Sequence, residues 1–432
     1  MTRARGLAVA AGVALALTAC QPGPGDVPED EAAAPTSGES ASPPAATSEP
    51  GPESGSEPTT TEPEGDPEPT TTEPEGALEV SLAAIGDVLP HHTLNRSASA
   101  YAGGGEGEYD YAPMLADAAP LLTGADLSLC HLETPVSADN TQLSVPDTLT
   151  FNSPHQLVDA LAGAGVDGCD FASNHTMDRG MAGIATTEQV LREAGLGYAG
   201  PAAEEDRAGV AEVYDVETAD GARARVAHLA YTYTYPNDGS PTTHIPGEAP
   251  WLVESSWPSI GGQGIREQAA TAREEGADFV VVSMHWGQEY QAEPTADQTR
   301  LAQELLGSSD VDLILGTHAH VIQPCQQVDG KHVLYGLGNF LSNQSPQTNV
   351  NLGPGTQEGM IALVTLRRDE QGTVTTELAY QPTRVEISPE VVPSHLVRLV
   401  SPSSYPETWE RTAATVDQLG GCEAEQLDPD RP

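Results

Sequence analysis

The sequence predicts an α/β sandwich, and three segments in its C-terminal half carry that prediction. Ala277–Met284 and Val311–Gly316 are short, continuous apolar runs, which are typical of strands buried on both faces of a sheet. Ala296–Leu306, between them, has apolar residues at helical spacing. This strand–helix–strand order is typical of a sheet covered by helices.

The N-terminal half of the folded region repeats this alternation. Ser153-Pro154-His155-Gln156 predicts a helix start, because it places an N-cap serine, a first-turn proline and a capping-box glutamine in order. The other elements predicted there are the strands Val80–Leu89, Ala125–Cys130 and Gly168–Ser173 and the helices Pro113–Leu122 and Met181–Ala194.

The pattern after Lys331 changes to strands alone, which predicts a second, largely antiparallel sheet. Thr232–Gly262 has no clear periodicity and contains several aromatic residues. A loop this long inside a compact domain is usually functional or contains an unrecognised element. Both interpretations stay open. The predicted late strands are His332–Leu337, Met360–Arg367, Val374–Gln381 and Val385–Ile387.

The N-terminus predicts export. Residues 1–20 begin with two arginines, continue through an apolar run and end in Leu-Thr-Ala-Cys, which is typical of a signal peptide. The last four residues resemble a bacterial lipobox, in which Cys20 carries the lipid; the alternative is a plain secretory signal with an incidental cysteine. We therefore expect a lipid-anchored protein on the extracellular face of the cell membrane.

Residues 21–77 predict a disordered, acidic Pro/Glu/Thr-rich linker. The unit Glu-Pro-Thr-Thr-Thr-Glu-Pro-Glu-Gly occurs at 57–65 and again at 68–76. Such a segment cannot bury enough apolar surface to offset its chain entropy, and its prolines and charges keep it extended. The folded domain is then expected at 78–390, followed by a C-terminal extension at 391–432.

The charge of the chain excludes one class of partner. The 432 residues carry a formal net charge of −46, and Lys331 is the only lysine. A nucleic acid would be repelled, so it is not an expected partner. The acidity is consistent with a saline habitat or with a genome that avoids lysine codons.

Four cysteines besides Cys20 predict disulfides, because an exported chain meets an oxidising environment. Four cysteines allow three connectivities. If the strands that contain Cys130 and Cys169 are neighbours, these two form a natural pair, which leaves Cys325 with Cys422. Metal ligation by cysteine is the weaker interpretation, because no Cys-x-x-Cys spacing is present.

Seven of the twelve histidines follow a short apolar run. In an open α/β sheet, ligands bind at the carboxyl ends of the strands. Imidazoles gathered there beside Asp87, Glu133 and Asn174 predict a metal site. The histidines are His91, His92, His131, His175, His285, His318 and His320.

Six short motifs follow one another along the chain. They are Gly86-Asp87-Val88-Leu89, His131-Leu132-Glu133-Thr134-Pro135, Ser173-Asn174-His175, His285-Trp286-Gly287, Gly316-Thr317-His318-Ala319-His320 and Gly336-Leu337-Gly338-Asn339-Phe340. In this order they resemble the bacterial CapA family of capsule-synthesis proteins, which is associated with poly-γ-glutamate capsules. That family is similar in fold to the calcineurin-like metallophosphoesterases. The resemblance implies a four-layer αββα sandwich.

The resemblance also implies a role for each site residue. His175 would protonate the leaving group, and Asp178 would orient it. The ions would be one or two of Mn, Fe or Zn, which suit mixed oxygen and imidazole donors. The implied metal ligands are Asp87, Glu133, Asn174, His285, His318 and His320.

The chain departs from the phosphoesterase pattern in ways that affect the number of ions. Leu89 stands where the phosphoesterases have a histidine, so His91 is a candidate additional ligand. Glu133 replaces the expected bridging aspartate. His131 is expected beside the site or packed in the core, and Asn339 is expected in a turn or in the site. A single ion, or a weakly held second one, is the alternative to a two-metal site.

Two function classes follow. The first is a metal-dependent phosphoesterase-like enzyme, acting on a phosphoester in capsule or poly-γ-glutamate-type polymer biosynthesis. The second is a non-catalytic metal-binding component of anionic polymer assembly or export, with capsule-synthesis membrane proteins as partners. A chain of net charge −46 repels a polyanion at long range, so capture of one would need bound cations.

Overall fold

The computed structural model describes residues 77–235, 237, 243–388 and 394–431. The predicted signal peptide, Cys20 and all but the last residue of the predicted linker lie outside these residues. No helix of the described part is long and apolar enough to cross a membrane.

The described residues form seventeen strands and eight α-helices. The strands are β1 Leu78–Leu89, β2 Leu127–Leu132, β3 Val136–Ser137, β4 Ser153–Pro154, β5 Gly168–Asp170, β6 Gly197–Ala199, β7 Glu212–Glu217, β8 Arg223–Thr232, β9 Phe279–His285, β10 Leu313–Thr317, β11 Cys325–Val328, β12 Lys331–Leu334, β13 Asn339–Ser342, β14 Glu358–Arg368, β15 Val374–Ser388, β16 Ser394–Leu399 and β17 Ala424–Gln426. The helices are α1 His92–Tyr101, α2 Ala112–Leu115, α3 Ala119–Leu122, α4 Gln156–Gly163, α5 Gly180–Glu193, α6 Trp257–Glu274, α7 Ala296–Leu306 and α8 Pro406–Val416. Short 3-10 turns cover Glu205–Arg207, Pro250–Ser255 and Pro354–Gln357.

Two sheets contain the larger strands. The first runs β16-β15-β14-β1-β2-β5-β6, with β13 also paired to β1 and β17 to β15. The second runs β11-β12-β10-β9-β8-β7. Strands β1, β2, β5 and β6 are mutually parallel, as are β8, β9, β10 and β12. The carboxyl ends of several strands therefore meet at one edge of each sheet.

The core consists of three apolar layers, which give the sandwich its four-layer order. Leu82 of β1 packs with Phe279 and Leu313 between the two sheets. Leu94, Leu157 and Leu191 bring three helices onto the outer face of the first sheet, and Ile265 and Leu301 bring two onto the second. The predicted αββα sandwich is confirmed.

Three predictions about the elements are wrong. No separate antiparallel sheet forms after Lys331, because β14 joins β1 in the first sheet and β12 joins β10 in the second. The fourth helix begins at Gln156 and not after Ser153, because Ser153 and Pro154 pair with β3. The segment Pro113–Leu122 forms two short helices, interrupted after Leu115.

The boundary expected at residue 390 does not separate a domain from an extension. Strand β16 pairs with β15 and β17 pairs with the same strand, so both are integral to the first sheet. The Arg411 guanidinium in α8 donates to the buried Glu358 carboxylate, with Nε 2.8 Å from Oε2. The Cys325–Cys422 disulfide adds the predicted covalent tether.

Candidate metal centre

Side chains from both sheets converge where the strands end. Asp87 lies in β1, His131 in β2 and His285 at the last position of β9. All three are buried, with relative exposures of 1% or less. Glu133, Asn174, His318 and His320 follow strands β2, β5 and β10 in sequence and are also buried. The topology therefore gathers all six predicted ligands, and His131, into one cluster.

A first group of ligand-type side chains consists of Asp87, Glu133 and His320. His320 Nδ1 lies 3.2 Å from Asp87 Oδ2 and 3.1 Å from Asn339 Oδ1. Its Nε2 lies 3.6 Å from Glu133 Oε1. Because the Nδ1–H donates to these acceptors, the Nε2 atom of the neutral ring is free to bind an ion beside the Glu133 carboxylate.

A second group consists of Asp87, His131 and His285, whose ligand atoms all lie within 4.8 Å of one another. His285 Nδ1 is 3.0 Å from His131 Nε2, and its Nε2 is 3.0 Å from Asn174 Oδ1. Sequence reasoning left the place of His131 open. Its register opposite Asp87 on the parallel strand β1 brings it into the cluster.

The turn after β10 is strained. His318 has φ 87° and His320 has φ 54°, in the left-handed region that non-glycine residues rarely adopt. Each such residue costs of order 1–3 kcal/mol, and strain of this kind concentrates at functional sites. In this turn the backbone N–H of His318 donates to Asp87 Oδ1 at 3.3 Å. The ring centroids of His318 and His285 lie 4.5 Å apart.

Unpartnered atoms show that the cluster fits a divalent metal. Within the described part of the chain, neither carboxylate oxygen of Glu133 nor Nδ1 of His318 has a hydrogen-bond partner, although all three atoms are buried. Burial raises the pKa of Glu133. Burial, with the charge of His320, lowers the pKa of His318 to about 3, so its ring is neutral and can donate a lone pair. A cation would partner all three atoms.

Replacing Glu133 by Gln is expected to stabilise the metal-free protein by about 1–3 kcal/mol, because the change removes a buried carboxylate that accepts no hydrogen bond and whose desolvation His320, at 3.6 Å, offsets only in part. The same variant should bind metal more weakly. The measurement is chemical unfolding with and without a chelator.

Glu358→Gln is the matched control, because that buried carboxylate is paired with Arg411 and Arg384. It should destabilise the fold under both conditions. If the metal-free Glu133→Gln protein is less stable than the metal-free parent, the expected stabilisation by this change is contradicted.

Metal binding is expected to release protons and to strengthen as pH rises. Burial by itself lowers the pKa of His320, but the charge of Glu133 and the hydrogen bond and charge of Asp87 raise it to about 10. The metal-free ring is therefore protonated at pH 7.5 and must lose that proton to bind an ion. Affinity should rise about tenfold per pH unit for each proton released. Titration calorimetry in buffers of different ionisation enthalpy counts the protons; a buffer-independent enthalpy would contradict the expectation.

His175 lies beside the cluster and has a different set of partners. Its Nδ1 is 2.9 Å from Asp178 Oδ2, and its Nε2 is 3.3 Å from Asn237 Nδ2. The same Asp178 oxygen accepts the backbone N–H of Phe151 at 2.6 Å, and the Phe151 ring contacts His175 edge-on at 4.7 Å. Asp178 thus orients His175. It also holds Phe151, the residue that follows the loop 138–150, against the His175 ring.

A cleft of about 1140 Å³ opens over His175, His318 and His320. Its walls carry aromatic rings and two carboxylates, but no lysine or arginine among the described lining residues. Residues 236 and 238–242, in the segment beside Asn237, include no basic residue either. Bound cations would therefore supply positive charge that no lysine or arginine of the described cleft walls provides. The aromatic and acidic lining residues are Phe151, Tyr233, Trp257, Tyr290, Glu289 and Asp297.

Other predicted side chains divide between the cleft and its surroundings. His91 lines the cleft, donates through Nδ1 to the Leu89 carbonyl and joins neither group, so its ligand role stays a prediction. Asn339 belongs to the site, because it accepts from His320. Trp286 donates to the Tyr335 carbonyl and is buried in the core on the outer face of the second sheet, outside the described lining of the cleft. Part of Thr232–Gly262 is an unrecognised element, since α6 begins at Trp257.

Comparison with protein families now identifies the chain's relatives. The model of the family "Bacterial capsule synthesis protein PGA_cap" matches residues 81–344, more than half of the chain. The chain belongs to this capsule-synthesis family. The matched residues contain the whole cluster, and the resemblance to the CapA family is confirmed.

Curated relatives agree with this membership. The capsule biosynthesis protein CapA of Bacillus anthracis is 27% identical over 230 residues, which is 52% of this chain and 52% of that protein. The PGA biosynthesis protein CapA of Bacillus subtilis is 26% identical over 230 residues, 52% of this chain and 55% of that protein. The chain thus spans about half the length of the curated relatives it matches.

Among solved structures, the calcineurin-like phosphoesterase YfkN from Bacillus subtilis is 13% identical to this PGA_cap protein, with a TM-score of 0.40. That match covers 78% of this chain and 98% of YfkN. The sulfate thiohydrolase SoxB from Thermus thermophilus is 13% identical, with a TM-score of 0.36, and the match covers 77% and 60% of the two chains.

Proposed function

We propose that this chain is a lipid-anchored capsule-synthesis protein on the extracellular face of the cell membrane, with a metal-dependent phosphoesterase-like site that acts in the synthesis of a poly-γ-glutamate-type polymer. The observation that carries the proposal is the buried Glu133 carboxylate, which has no hydrogen-bond partner among the described residues although it lies within a cluster of imidazoles. Mixed oxygen and nitrogen donors suit one or two ions of Mn, Fe or Zn. The predicted signal peptide with Cys20 supports the anchor.

The residues of the chain divide the chemistry between them. A divalent ion held by Asp87, Glu133 and the histidines of the cluster would supply Lewis-acid chemistry, which lowers the pKa of water and stabilises negative charge on a phosphoryl oxygen. Asp178 accepts the Nδ1–H of His175 and orients the ring, so that Nε2 can deliver a proton to a leaving group in the cleft. Asn237 contacts both His175 and Asn174 and holds them in one orientation.

A non-catalytic role in polymer assembly or export is the second candidate, and one observation favours it. Leu89 lines the cleft at the position where the phosphoesterase pattern has a histidine, so one expected donor is missing. Without basic residues in the described cleft walls, an anionic polymer end would be held through bound cations. Capsule-synthesis membrane proteins would then be the partners.

One experiment separates the two candidates. Metal content per chain is measured on the purified protein, together with turnover of p-nitrophenyl phosphate and bis(p-nitrophenyl) phosphate. Bound metal with turnover that disappears on chelation supports the enzyme. Bound metal without turnover supports the assembly role, and a chain that retains no ion refutes both.

A further inference from the structure

Three adjacent parallel strands place Asp87, His131 and Asp170 in one row. His131 of β2 is in register with Asp87 on β1 and with Asp170 on β5. The Cys130–Cys169 disulfide joins β2 and β5 at the neighbouring register pair, one residue before His131 and Asp170. The predicted pairing of these cysteines therefore also fixes the strand register that sets His131 beside Asp170.

Asp170 determines which nitrogen of His131 faces the cluster. Its Oδ1 lies 2.6 Å from His131 Nδ1, and both side chains are buried. The carboxylate accepts the Nδ1–H, so the lone pair of the neutral ring is on Nε2. That atom lies 3.0 Å from His285 Nδ1 and 3.8 Å from Asp87 Oδ1. A carboxylate behind an imidazole that faces a metal is a recurrent arrangement in metalloproteins.

We propose that His131 is a further metal ligand of this chain, which binds an ion through Nε2 together with Asp87 and His285. Asp170 is a positioning residue that fixes the tautomer and orientation of the His131 ring. The inference rests on the proposed metal-dependent function. Two ring nitrogens 3.0 Å apart need a proton or a cation between them, and Asp87 Oδ1, 3.8 Å from His131 Nε2, adds an oxygen donor for a cation.

The donor set has a consequence for metal selectivity. Two imidazoles and one carboxylate suit Mn, Fe or Zn, whereas Mg and Ca favour oxygen donors throughout. An ion held by His131 should therefore be displaced by Zn²⁺ but not by Mg²⁺. This behaviour does not require turnover.

The test uses the full-length chain loaded with Co²⁺, whose visible spectrum reports its ligands. His131→Gln is expected to lose cobalt from this position and to change the spectrum. Asp170→Asn, which keeps the His131 ring, is expected to lower the affinity by about 10–100-fold. The matched control is His228→Gln, because His228 is equally buried but contacts Ser283 instead of the cluster. Its cobalt content and spectrum should equal those of the parent.

Two results would overturn the inference. A folded His131→Gln protein with the parent's cobalt content and spectrum would show that His131 only accepts a hydrogen bond from His285. If His131→Gln does not fold, Asp170→Asn with unchanged affinity overturns the inference instead. Failure of the proposed metal site as a whole is distinguishable, because the parent chain itself would then retain no cobalt.

Discussion

Replacing His318 and His320 together by alanine is expected to abolish metal retention. The double change removes two nitrogen donors. It also leaves the Glu133 carboxylate without a histidine ring from the turn that follows β10. A ligand that binds only the folded state stabilises it by about 2.7 kcal/mol when present at 100 times its dissociation constant. The variant should lose this stabilisation, so added metal should no longer raise its thermal midpoint.

The measurement is metal content by mass spectrometry with thermal unfolding of the chelated and loaded protein. Replacing His155 and His244 together is the control, because both lie outside the cluster. Metal content equal to that of the parent would remove His318 and His320 from the site.

Replacing His175 by alanine is expected to leave the metal bound but to lower phosphoester turnover by about 10²–10⁴-fold, the usual contribution of general acid catalysis. His175 belongs to neither ligand group, and its ring nitrogens contact Asp178 and Asn237. Metal content and turnover are measured on the same sample.

A control for changes in the cleft wall is Leu149→Ala, since Leu149 lines the cleft and is 67% exposed. This variant should keep most of the activity. Turnover of His175→Ala equal to the parent's would exclude His175 as the acid.

The sandwich could be predicted from the sequence because its central strands are buried on both faces. β9 and β10 read as continuous apolar runs, and α7 has the predicted bounds. The placement of β14 could not be predicted. Its sequence pattern is compatible with a strand in a separate sheet and equally with a strand that pairs with β1. Only the long-range pairing of β1 with β14 decides between these.

The site was predictable where a ligand ends a strand and less so where tertiary packing decides. Asp87 and His285 follow from strand ends alone. His131 needed the register with Asp87 and Asp170, which no local pattern contains. The geometry of His318 and His320 depends on left-handed backbone angles that strand alternation does not anticipate.

The bond from Phe151 to Asp178 has a consequence for how this protein can diversify. It is made by a main-chain N–H, which every residue except proline possesses. The sequence of the loop 138–150 can therefore change without altering the contact that aligns His175. Selection, or an engineered library, could retune what the cleft accepts while His175 keeps its alignment.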